Sequence, residues 1–63
     1  MRVVLELDFP VRKYEMPGLP YLPVVGDRVH TRSLIKGTEL FKVIDREFDL
    51  ERNMITIFVK GVT

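Results

Sequence analysis

Apolar side chains recur at every second position near both ends of this chain. In residues 2–9, Val3, Leu5, Leu7 and Phe9 share one parity; Arg2, Val4, Glu6 and Asp8 share the other. Such alternation, with β-branched residues, predicts a strand that buries one face. Pro10 is expected to end it, because proline has no N–H to give to a sheet ladder. Residues 54–60 repeat the pattern, with Ile55, Ile57 and Val59 on one parity. Arg28 to Ser33 read as another strand, with Val29 and Thr31 facing in and Arg28, His30 and Arg32 facing out. Gly26 with Asp27, Lys36 with Gly37, and the run Leu50, Glu51, Arg52, Asn53 supply turn signals.

Residues 39–49 carry a break in the alternation. Phe41 and Val43 lie on one parity and Phe48 on the other. One inserted residue moves every later side chain to the opposite face. A β-bulge near Ile44 and Asp45 would therefore return Phe48 to the core. The spacing of Leu40, Ile44 and Phe48 also permits a helix over 39–52, but Phe41, Val43 and the strand that follows favour a hairpin.

Residues 10–25 hold all four prolines, and Pro17, Pro20 and Pro23 recur every third residue. Polyproline II has three residues per turn, so these rings would line one edge of an extended segment. This stretch is expected to be a long proline-rich loop after the first strand, packed across the core by Leu19, Tyr21 and Leu22.

With 63 residues the chain is read as one domain. A domain of this size buries only about 60% of the surface its unfolded chain exposes. No cysteine is present, so neither a disulfide nor a thiolate metal site reinforces it. His30 is the single histidine and builds no multi-histidine site. Four to five short strands cannot make a two-layer sandwich, so a small bent sheet closing on itself is the economical arrangement.

The segment Val25, Gly26, Asp27, Arg28, Val29, followed by a glycine turn and then Phe41, Lys42, Val43, Ile44, Asp45, resembles the opening of small SH3-like barrels, KOW-type modules among them. It covers about a third of the chain. In style the chain also resembles short accessory proteins of bacteria and their phages. The resemblance implies an all-β fold, a small SH3-like barrel of four to five strands.

Ten basic and nine acidic residues give a net charge of +1. That balance supplies no general attraction to nucleic acid or to a membrane surface. No apolar run approaches a transmembrane span, and residues 1–8 lack the long apolar stretch of a signal peptide. A cytoplasmic protein with no membrane partner is expected.

Asp45, Glu47, Asp49 and Glu51 alternate, and carboxylates on one face are the ligand type that Ca²⁺ takes. Pairing with Arg46, Arg52 and the basic strand accounts for them more simply, and the bulge is expected to break the row. Ser33 and His30 have opposite parity, so they do not form a nucleophile–base pair. No cleft is evident to hold carboxylates across a glycosidic bond. No catalytic residue, cofactor or metal is expected.

Binding remains. The leading expectation is a non-enzymatic module whose partner is a protein or a second copy of itself, with a symmetric dimer favoured. Met54 and Phe58, on the outer parity of the last strand, and Tyr21 are the candidate interface. The alternative is a small nucleic-acid-binding barrel that contacts phosphates through Arg28, His30 and Arg32.

Overall fold

The computed structural model describes residues 1–16 and 21–62, without the side chain of Ser33. Among these residues five strands are formed: β1 (Arg2–Asp8), β2 (Val11–Met16), β3 (Arg28–Ile35), β4 (Thr38–Asp49) and β5 (Met54–Gly61). They make one mixed sheet in the order β2-β1-β5-β4-β3. β5 runs parallel to β1; every other pair is antiparallel. The edge strands β2 and β3 approach each other, so the sheet curls into a half-barrel. The protein is all-β, and no helix occurs among the described residues.

The core lies inside the curl. Leu5, Leu7, Phe41, Val43, Ile55, Ile57 and Val59 close it from the three central strands, and Leu34 joins them from β3. Val3, Tyr14, Met16, Leu22, Val29 and Ile35 pack around this centre, half-buried. Each fully buried aliphatic or aromatic side chain contributes about 1.5–3 kcal/mol relative to exposure. The alternation in residues 2–8 and 54–60 thus does what it predicts.

The proline-rich loop requires correction. Residues 11–16 form β2, which pairs antiparallel with β1 from Asp8 opposite Val11 to Val3 opposite Met16. Pro10 does end β1, as expected, but with Phe9 it makes a turn straight into β2, and their peptide bond is cis. Proline at a turn forfeits no ladder bond. The segment after β2 is shorter than expected. Leu22 packs against the core and Pro23 is buried, whereas Tyr21 is 73% exposed. Leu19, Pro17 and Pro20 lie outside the described residues, and with them the polyproline edge.

Phe9 is also corrected. Its parity places it inward, yet it is 93% exposed, because it sits in the turn beyond the last paired residue of β1. Leu34, one residue past the expected end of β3, is buried: β3 runs on to Ile35, and an irregularity between His30 and Ile35 resets its facing.

The bulge falls where the pattern places it. Val43 pairs with Val59, and Asp45 with Phe58, which leaves Ile44 as the extra residue. Phe48 is thereby brought opposite Ile55, onto the inner face. It does not join the core, however, and remains 50% exposed. The reason is the short reach of β3, whose pairing with β4 ends at Arg28 opposite Lys42. Beyond it only Gly26 and Asp27 bond β4, both to Val43 at 2.9 Å. The far half of β4 has no neighbour on that side among the described residues, so Phe48 has nothing to pack under. The Arg46 guanidinium stands over its ring, 5.5 Å from the centroid.

Two turns are set by local chemistry. Asp27 accepts the Val24 amide on Oδ2 and its own amide bonds Val24 O, both at 2.9 Å, around Gly26 at φ +98°. That φ is in the region only glycine adopts freely. Between β4 and β5, Asp49 Oδ1 accepts the Arg52 amide at 3.1 Å and Asn53 takes φ +52°, a conformation asparagine tolerates better than most residues.

Candidate functional site

The outer face of the sheet is built by the residues that alternate with the core. β5, the central strand, presents Met54, Thr56, Phe58 and Lys60 there. Its neighbours across β1 are Arg2, Val4 and Glu6, opposite Met54, Thr56 and Phe58 in turn. Across β4 they are Asp49, Glu47, Asp45 and Lys42. β3 then adds Arg28 beside Lys42, and His30 beside Leu40.

Met54 and Phe58 therefore lie on one face of one strand, as their parity implies. Both are half-buried. Tyr21 belongs to the segment leading into β3 and stands exposed there. Phe58 has Glu6 on one side and Asp45 on the other, so an aromatic ring sits between two carboxylates.

The basic strip is reorganised. His30 Nε2 lies 3.2 Å from Glu39 Oε2, and Arg32 Nε lies 2.9 Å from Glu39 Oε1. One carboxylate on β4 thus engages two of the three strip residues, the cross-strand pairing expected of a basic strand beside an acidic one. Arg28 is in a different setting. It faces Lys42, and Lys42 faces Lys60, so three cations stand side by side across three strands. Lys60 escaped the sequence reading because its position depends on the register between β4 and β5. The only signal for it was the bulge: with Ile44 counted out, Val43 meets Val59 and Lys42 meets Lys60.

The acidic row is more continuous than expected. The bulge comes just before Asp45, so Asp45, Glu47 and Asp49 keep one face, opposite Phe58, Thr56 and Met54. Asp45 Oδ1 accepts the Arg46 amide at 2.8 Å, and Asp49 Oδ2 lies 3.7 Å from Arg52 Nε. Among the described residues no group of three His, Cys, Asp or Glu side chains converges as metal ligands do. Millimolar Ca²⁺ is expected to leave the melting temperature unchanged. A rise of many degrees, reversed by chelator, would reveal a bound ion.

An open hollow of about 420 Å³ lies on the same face where β2, β1 and β5 meet. Val4 is its buried floor, flanked by Met54 and Thr56. Its rim is ionic: Arg2 Nε bonds Glu15 Oε1 at 2.8 Å, and Lys13 Nζ lies 3.7 Å from Glu6 Oε1. The hydrogen bond to Glu15, aided by its charge, holds the Arg2 guanidinium above its ordinary pKa. Arg52 completes the lining and has its carboxylate, Asp49, 3.7 Å away outside it.

Among the described residues no polar or charged side chain is buried. Comparison with protein-family models, with curated proteins and with solved structures finds no match.

Proposed function

We propose that this chain is a non-enzymatic binding module, a small cytoplasmic barrel of SH3-like type, whose partner is protein and most simply a second copy of itself. The observation that carries this reading is the composition of β5. It places Ile55, Ile57 and Val59 in the core, and it also turns Met54 and Phe58 outward, with Val4 beside them on β1. Two of the four outward side chains of this central strand, Met54 and Phe58, are apolar, and apolar residues on the second face of a central strand favour a sheet covered on both sides. On that outer face Val4 is buried and Met54 and Phe58 are half-buried, each keeping part of its apolar surface available to a partner. Aromatic side chains of this kind commonly anchor interfaces. The SH3-like kinship draws on Gly26 and Asp27, which dock the entry of β3 onto Val43 of β4.

Catalysis is not part of the proposal. Catalytic groups usually line a concave, largely enclosed pocket. His30, the natural candidate, is exposed and paired with Glu39.

Light scattering over a range of concentrations tests the reading. A dimer mass at high micromolar concentration is expected, and Phe58→Ser should shift the population to monomer. A monomer mass throughout would overturn self-association. The nucleic-acid alternative now rests on Arg28, Lys42 and Lys60, not on His30 and Arg32. It requires a gel shift at low salt that weakens steeply as salt rises.

A further inference from the structure

We propose that two copies of this chain pair through the outer faces of β4 and β5 about a two-fold axis, held together by opposite charges. The proposal rests on the self-association reading and specifies its surface.

The outer face of β4 changes sign along its length. Lys42 stands at one end, with Arg28 on one side and Lys60 on the other. After the bulge the same face carries Asp45, Glu47 and Asp49. Among the described residues, Arg28, Lys42, Lys60, Asp45 and Glu47 enter no ion pair. Like charges directly opposite each other on neighbouring strands are destabilising. The cationic row is thus an unfavourable block, the acidic run along β4 is a block of opposite sign on the same face, and Phe58 sits at the boundary between them.

That arrangement is self-complementary. Consider an axis lying in the plane between two facing sheets, perpendicular to the strands and passing at Phe58. Rotation about it reverses the strand direction and keeps the lateral order, so β4 faces β4 and β5 faces β5. Phe58 meets its own copy, and so does Asp45 in the same row, so one like-charge contact stands against the two opposite-charge contacts that follow. Lys42 lies one outward position to one side of the row of Phe58 and Asp45, and Glu47 lies one outward position to the other. Each Lys42 therefore comes over Glu47 of the other copy, twice by symmetry. An isologous interface uses one patch twice, the commonest way for a soluble chain to pair. The contact also covers the outward apolar residues of β5.

A nucleic acid suits this face less well. Neighbouring strands are about 4.8 Å apart, so a row crossing three of them spans only about 10 Å. On β1 the residue after Leu7, which pairs with Val59, is Asp8, so an acid adjoins the Lys60 end of the row. Along β4 the carboxylates begin directly after the bulge. A polyanion extending past Lys60 or along β4 beyond the bulge meets negative charge.

Two double variants test the proposal by sedimentation equilibrium. Lys42→Glu with Lys60→Glu makes the face acidic; Asp45→Lys with Glu47→Lys makes it basic. All four positions are exposed, and circular dichroism checks that each variant folds. If either double variant unfolds, Lys42→Glu and Glu47→Lys alone replace the pair. Each variant alone is expected to dimerise at least about tenfold more weakly than the wild type, and an equimolar mixture to form a heterodimer at least as tight as the wild type. The wild-type dimer should also weaken as salt rises from about 0.05 M to about 1 M. Variants that dimerise like the wild type would overturn the charge-paired surface while leaving self-association intact. Loss in both without rescue on mixing would overturn it equally. A wild-type monomer at every concentration would overturn both readings. Nucleic acid retained by the wild type and lost only from the acidic-faced variant would give the basic row to that ligand and overturn the pairing.

Discussion

Phe41→Ala is expected to lower the melting temperature by about 15–30 °C, the largest loss from any single side chain here. Phe41 is fully buried on β4, between Val29 of β3 and Gly61 of β5. Truncating a buried phenylalanine costs about 3–5 kcal/mol, the transfer of the ring plus the cavity it leaves. At roughly 0.05–0.15 kcal/mol per residue, a chain of this length has only about 3–9 kcal/mol of stability in all. No disulfide makes up the difference. Phe48→Ala and Phe9→Ala are the controls. They remove the same ring from positions half-exposed and almost wholly exposed, and a surface change of this kind stays within about 0.5–1 kcal/mol. Thermal melts of the three variants at low concentration, where self-association does not contribute, read the comparison. A Phe41→Ala protein melting within a few degrees of wild type would mean that the core does not lie where the sheet places it.

That contrast also marks how far the sequence is legible. Phe9, Phe41 and Phe48 all read as inward by parity and by the bulge, and their facing is a local property of the strand. Burial is not local. It depends on whether a neighbouring strand reaches far enough to cover the ring. β3 covers Phe41 and stops short of Phe48, and Phe9 lies past the end of its own ladder. Period-two alternation carries no information about where a partner strand ends.

β2 was hidden for a related reason. An edge strand packs one side only, and here the core receives just Tyr14 and Met16. Apart from the exposed Val11 the rest is charged, Arg12, Lys13 and Glu15, and charged side chains are one way an exposed edge resists unwanted pairing. With Pro10 before it and Pro17 after it, the segment looks like loop in composition, although it pairs with β1 along six positions.

The outer face was legible strand by strand and illegible as a surface. Met54 and Phe58 share a parity that any reader of residues 54–60 can see. The row of Arg28, Lys42 and Lys60 joins residues far apart in sequence, through two registers that parity alone does not set. Arg28, His30 and Arg32 share a strand, which made them the visible grouping. Glu39, close to both His30 and Arg32 in the fold, divides that grouping.

Two deletions in the sheet are expected to have opposite outcomes, and they test the register directly. Removing Ile44 should leave a folded protein. Ile44 is exposed and is the unpaired residue of the bulge, so without it Val43 still meets Val59 and Asp45 still meets Phe58. Every later side chain of β4 keeps its face, and β4 becomes a regular strand. Removing Phe58 should abolish folding. β5 has no bulge to absorb the loss, and it is paired on both sides. If the residues after the gap shift back, Lys60 enters the place of Val59; if those before it shift forward, Thr56 enters the place of Ile57. Both vacated places are buried in the core. An unpaired hydroxyl there costs about 1–3 kcal/mol beyond the lost apolar burial, and an ammonium more. Against a total of about 3–9 kcal/mol neither repair leaves a stable fold. Far-ultraviolet circular dichroism and thermal melts of the two deletions distinguish them: a cooperative melt for the Ile44 deletion and none for the Phe58 deletion. Two cooperative melts, or unfolding of the Ile44 deletion, would show that the register between β4 and β5 is not the one described. Because Phe58→Ser retains the backbone and its register, its effect on dimer mass is separable from the folding defect of the deletion.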